Sequence, residues 1–185
     1  MYIRDMRSLR YIPNYTVADY NMWEGDWELI DGVPVAMSPS PVRRHQSIGG
    51  KIYSRILGAI ESQHATFGDC EVVYELDWIV NEDTVLRPDI AVVCGEKGDF
   101  IMHSPVVIVE ILSPSTSLKD RKVKYDIYQE QGVKYYIIVD PATSKHRAFQ
   151  LKDGAYYDYS ENEFVIHEGC AISLDIKEIL LEFKA

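Results

Sequence analysis

The sequence predicts an α/β chain of the α+β kind: a mixed central sheet flanked by helices, with an N-terminal β-hairpin and a C-terminal β extension. Three observations predict it. Asp31-Gly32 and Asp153-Gly154 each separate two strand-like runs, as two-residue hairpin turns do. The run Val106-Val107-Ile108-Val109-Glu110-Ile111-Leu112 is apolar on both parities, which marks a central strand covered on both faces. Between the strand runs lie two segments of helical periodicity, about Arg43 to Gln63 and about Leu118 to Gln131.

Taken in order, Thr16-Val17-Ala18-Asp19 offers an N-cap with an acid three residues on, opening a short helix to about Trp23. Trp27 to Ile30 and Val33 to Met37 form the first hairpin, and Pro34 places its second strand at an edge or bulge. The helix from Arg43 carries Ile48, Ile52, Ile56, Ala59 and Ile60 as one stripe, with Arg44, Lys51 and Arg55 beside it. It tolerates Gly49-Gly50, and His45 falls within the apolar stripe. Strands over Cys70 to Val80 and Val85 to Val93 join the central strand as a meander. The next helix puts Asp120, Val123, Lys124, Ile127 and Tyr128 on one side, with Lys124 inward, and Lys122 on the other. Gly132 ends it, and Lys134 to Val139 gives another strand, stopped by Asp140-Pro141. Short aromatic-rich strands follow from Lys145 to about Ile166, then a closing helix from Leu174 to Leu181.

With 185 residues, the chain reads as one domain over 1–185, with a core of about 27–141 and a β extension of about 145–185. Its 46% hydrophobic and 26% charged content is that of an ordinary soluble protein, and no run approaches a membrane span. The opening residues lack the apolar core of a signal peptide, so a cytoplasmic location is expected. A net charge of −10 counts against a protein that coats nucleic acid through a broad basic surface. Cys70, Cys94 and Cys170 are odd in number and far apart, which suggests buried thiols rather than a disulfide or zinc site.

The chemistry concentrates between Arg87 and Lys124. Glu110 shares a face with Ile108 and Leu112, so its carboxylate must meet a cation or strong donors; an ordinary Arg or Lys partner is the plain alternative to a metal. Asp89 ends a second β-branched run, and Lys124 faces the sheet from the following helix. Two acids and a base at one sheet edge is the set that metal-assisted hydrolysis requires. Ser113 and Ser115 have no Gly-x-Ser-x-Gly context, and no phosphate-cradling glycine loop is present.

At this point the chain resembles the Uma-type restriction endonuclease family, a branch of the PD-(D/E)xK nuclease superfamily. The resemblance rests on Glu28-Leu29-Ile30-Asp31-Gly32, Met37-Ser38-Pro39-Ser40-Pro41 with His45, Pro88-Asp89, Glu110-Ile111-Leu112-Ser113-Pro114-Ser115-Thr116, the ladder Asp120, Lys124, Tyr128, and Gly132-Val133 through Asp140-Pro141. It implies a restriction-endonuclease-like core in which Asp89 and Glu110 hold Mg2+ or Mn2+, with Lys124 as the third catalytic group. Leu112 stands where the superfamily pattern has lysine, and Lys124 matches the position to which this branch has moved it.

The implied activity is that of a Mg-dependent DNA endonuclease, a hydrolase acting on phosphodiester bonds, with double-stranded DNA as partner. A binding module that has lost turnover is the rival. His45, Glu28, Asp120 and Tyr128 are candidate supporting residues. His45 could equally be a satisfied core residue, and Glu28 a hairpin salt bridge. Arg44, Lys51 and Arg55 are candidate phosphate-backbone contacts or a solvated face. Cutting both strands of a duplex calls for two sites, so a homodimer is expected, with the Tyr-rich hairpin at Tyr156-Tyr157 and Tyr159 as an interface.

Overall fold

The computed structural model describes residues 13–37, 42–63, 67–113, 122–167 and 169–183. After the short helix α1 (Val17–Tyr20), capped by Thr16 as expected, the hairpin β1 (Trp27–Ile30) and β2 (Val33–Ala36) turns through Asp31 and Gly32, both at positive φ (48° and 73°), as a two-residue hairpin turn requires. β2, with Pro34, lies at the edge of a four-stranded sheet of order β2-β1-β5-β4. Here β4 is Trp78–Asn81 and β5 is Thr84–Leu86.

The central sheet has six strands in the order β10-β9-β8-β7-β6-β3. They are β3 (Cys70–Tyr74), β6 (Ile90–Cys94), β7 (Val107–Ile111), β8 (Tyr135–Asp140), β9 (Lys145–Lys152) and β10 (Ala155–Tyr159). β3, β6 and β7 form the expected antiparallel meander, and β8 runs parallel to β7. The connection between those two includes α3 (Lys124–Glu130); the expected helix start at Leu118 lies outside the described residues. The β extension is in part not an appendage, because β9 pairs with every residue of β8 and continues the main sheet.

The strands expected over Cys70 to Val80 and Val85 to Val93 are each broken in two. The hairpin pairs in the central sheet as far as Tyr74↔Ile90 and resumes in the small sheet at Trp78↔Leu86. Glu75 takes a left-handed φ of 49°, and Pro88 has no N–H to give a ladder. Asp77 and Arg87 brace the bend, with Nε 2.6 Å from Oδ1. One hairpin thus serves two sheets, and Asp89 sits where it changes between them.

β7 is buried at every residue, as its two-sided apolar pattern requires. On one face Val107, Val109 and Ile111 pack against Ile48, Ile52, Ile56 and Ile60 of α2 (Arg43–Ser62). The hairpin of β11 (Glu163–His167) and β12 (Cys170–Ser173) and the helix α4 (Ile176–Glu182) complete this core. On the other face Ile108 and Leu112 meet Tyr128 of α3 and Ile30, Trp78 and Leu86 of the small sheet.

Gly49 is what lets α2 approach so closely. A Cβ there would lie 2.7 Å from the Tyr74 hydroxyl and 2.9 Å from Ile111 Cδ1, whereas Gly50 faces open space. The cysteines correct the sequence reading. Cys70 and Cys94 face each other across β3 and β6 and are joined in a disulfide, leaving Cys170 as a buried thiol. Register, not spacing along the chain, brought the pair together. Among the described residues no helix is long and apolar enough to cross a membrane.

Candidate functional site

Two groups of side chains meet where β6 and β7 diverge. The first is fully enclosed. Lys124, in the first turn of α3, lies between two carboxylates, with Nζ 2.7 Å from Glu110 Oε1 and 2.9 Å from Glu28 Oε1. Glu28 has no exposed surface, and Glu110 and Lys124 almost none. Tyr128, one helical turn beyond Lys124, donates its hydroxyl to Glu110 Oε1 at 2.7 Å. Burial first, and then the charge of Glu110, push the Tyr128 pKa well above its ordinary value, so the hydroxyl stays a donor. The Arg87 backbone closes the group: its N–H donates to Glu28 Oε1 at 2.9 Å and its carbonyl accepts from Lys124 Nζ at 3.3 Å.

The second group lies at the rim. Ile90↔Val109 is the last pair between β6 and β7, so Asp89 falls one step beyond it, opposite Glu110. Asp89 does not continue the ladder; its Oδ2 accepts the Ile111 N–H at 2.6 Å, in the manner of a missing strand carbonyl. His45, in the first turn of α2, places Nε2 3.5 Å from the same oxygen. Among the described residues its Nδ1 is buried without a hydrogen-bond partner. Burial opposes the charged imidazole, but the hydrogen bond and charge of Asp89, with the Ile111 carbonyl and Glu75, outweigh it and raise the His45 pKa.

The two acids are therefore neighbours by register and drawn in different directions, Asp89 toward α2 and Glu110 toward α3. Asp120 lies outside the described residues. The basic stripe does not converge on them: Lys51 and Arg55 pair with Glu182 of α4 at 2.9 and 3.9 Å, and Arg44 donates to Ser144 at 3.0 Å. Most of the tyrosine cluster is also internal. Tyr156 packs on Tyr125, Tyr136 and Phe149, and Tyr159 on Tyr135 and Phe164, which leaves only Tyr157 of the three largely exposed.

Sequence reasoning missed Arg87, whose contribution is made by its backbone. The one available signal was Pro88, which holds the preceding residue extended. It also missed Gly49, whose closeness to Ile111 sets His45, one turn away, against Asp89.

Residues 17–174 match the model of the family described as "Uma2: Putative restriction endonuclease". The chain belongs to this family. The match reaches beyond the segments that carry the resemblance and takes in the C-terminal hairpins. This Uma2 chain is also 25% identical to the uncharacterized protein slr1290 of Synechocystis sp. over 182 positions, 92% of this chain and 89% of that one. Among solved structures it is similar to a putative nuclease belonging to DUF820 from Anabaena variabilis, with a TM-score of 0.71 and 18% identity. The alignment covers 90% of this chain and 98% of that chain, a likeness of fold.

Membership in the Uma2 family supports a nuclease-type function. Asp89 and Glu110 are hard oxygen donors of the kind a divalent cation takes, whereas the imidazole turns Nε2 to Asp89 and is held toward its protonated form. Among the described residues no three His, Cys, Asp or Glu side chains are grouped to hold an ion. An ion shared by Asp89 and Glu110 would need Glu110 to turn from Lys124 and would take most of its ligands from water.

Proposed function

We propose that the protein is a metal-dependent phosphodiesterase that hydrolyses DNA as an endonuclease. The observation that carries this is Lys124, a buried ammonium held beside Glu110, which stands opposite the partly exposed Asp89. Asp89 and Glu110 would hold Mg2+ or Mn2+, with His45 alongside. A bound ion of this kind lowers the pKa of its water and offsets charge on a phosphoryl oxygen. Lys124, fixed and cationic, stabilises negative charge developing on the phosphorus oxygens or orients the attacking water. Tyr128 holds the Glu110 carboxylate, and Glu28 serves the lysine. Among the described residues Lys51 and Arg55 are tied by exposed ion pairs to Glu182, which contribute little and which backbone phosphates can displace; with Arg44 they form the candidate track for duplex DNA.

We place the protein in the cytoplasm with its substrate, although the Cys70–Cys94 bridge is unusual for a reducing compartment. A homodimer rests on the need for two cuts rather than on the tyrosine hairpin. Incubation of supercoiled plasmid with Mg2+ or Mn2+ tests the activity: nicking or linearisation that disappears in Asp89→Asn and Glu110→Gln supports it. A second reading has one observation in its favour, since Glu110 Oε1 is already taken by Lys124 and Tyr128. A nuclease-fold binding module would retain plasmid in a gel shift and leave it uncut at every metal concentration.

A further inference from the structure

Among the described residues Lys124 meets two carboxylates, Glu28 and Glu110, and the two are not held alike. Glu28 Oε1 accepts the Arg87 N–H as well as the lysine, and the Arg87 carbonyl accepts from that same lysine. The Arg87 backbone is itself pinned through its side chain, to Asp77 at 2.6 Å and Asp26 at 2.9 Å, and Asp77 is steadied by the Tyr20 hydroxyl at 2.8 Å. Glu28 is thus bound to a braced stretch of main chain. Glu110 Oε1 is met instead by two side chains, Lys124 and Tyr128, and the residue stands across from Asp89.

We infer that Glu28 is a positioning residue, the standing counter-ion of Lys124, which lets Glu110 turn to a divalent cation without leaving the ammonium buried and unpaired. Had Glu110 been the only partner of Lys124, every cation taken up would strand a buried charge and binding would be opposed. With Glu28 in place, the lysine keeps an ion pair and an accepting carbonyl throughout. This rests on the metal-site reading given above.

Calorimetric titration of Mn2+ tests it. The wild-type protein is expected to take up the ion and Asp89→Asn to lose it. Glu28→Gln, if folded by its melting curve, is expected to bind Mn2+ at least about tenfold more weakly, with partial recovery in Glu28→Asp. On plasmid DNA, Glu28→Gln should lower kcat more than it changes KM. Wild-type-like Mn2+ affinity in Glu28→Gln overturns this inference and leaves the metal site standing; no Asp89-dependent uptake by the wild type overturns both. Should Glu28→Gln fail to fold, a crystal structure of Glu110→Ala decides. Lys124 still on Glu28 supports the role, and Lys124 swung to solvent removes it.

Discussion

Glu110 and Asp89 stand opposite each other on neighbouring stretches of one sheet, yet Glu110 is enclosed by a lysine and a tyrosine while Asp89 keeps 17% of its side chain exposed beside a histidine. The difference teaches that one carboxylate pair can divide two tasks. The enclosed member is tied into the fold by Lys124 and Tyr128, and the rim member stands where solvent can reach it. Substitutions in the enclosed group should therefore be felt in folding as well as in cleavage, and those at the rim mainly in cleavage.

The largest effect is expected from Lys124→Ala. It removes the buried ammonium that both Glu28 and Glu110 meet, and urea unfolding should show a loss of about 3–5 kcal/mol. The exposed Lys122→Ala should stay within about 0.5 kcal/mol of the parent. Equal effects would dissolve the contrast between enclosed and exposed lysines. Gly49→Ala comes next: the added methyl meets Tyr74 and Ile111 closely enough that a loss of about 1–3 kcal/mol is expected, with displacement of His45 visible in its imidazole NMR signals.

Tyr128→Phe removes one donor from a buried carboxylate that keeps its lysine, and about 1–2 kcal/mol should disappear in the same unfolding assay. Asp89→Asn should change stability by less than about 1 kcal/mol, since the amide oxygen can still accept from Ile111, while metal-dependent nicking falls below detection. A stability loss as large as that of Lys124→Ala would show that the rim is structural after all.

The smallest effect is a pH slope. His45 has a folded pKa raised above its ordinary 6.5, so its contribution is complete below that value and fades as pH rises through the folded pKa. His45→Asn should remove this alkaline drift in melting temperature. A drift that survives the substitution belongs to another group.

Much of this was legible in the residues. Asp31-Gly32 and Asp153-Gly154 gave their hairpins because few residues other than glycine and Asx accept positive φ. The two-sided β7 pattern gave a central strand, and helical periodicity turned Lys124 inward and Lys122 outward. The expected lysine partner of Glu110 also proved to be present, which means that the plain ion-pair reading and the catalytic one name the same residue. The break of the long hairpin into two sheets was not legible, because β-branched runs on either side of Glu75 and Pro88 look the same in one sheet or in two. The bond between Cys70 and Cys94 depends on a register that no spacing rule contains. The partnership of Glu28 with Lys124 depends on how the small sheet lies over α3, a matter of three-dimensional packing alone.

The placement of Glu28 on the first hairpin has a consequence for synthesis. A ribosome delivers Glu28 and its small-sheet neighbours long before α3 exists, so the segment that will become the interior of the site emerges ahead of the Lys124 ammonium that meets its acid. Closing the small sheet early would bury that charge without the Lys124 ammonium. The nascent chain is therefore expected to stay open to chaperones and proteases until Lys124 has left the exit tunnel, with the last closure coming late. Ribosome-bound chains truncated before and after α3 should differ abruptly in protease resistance.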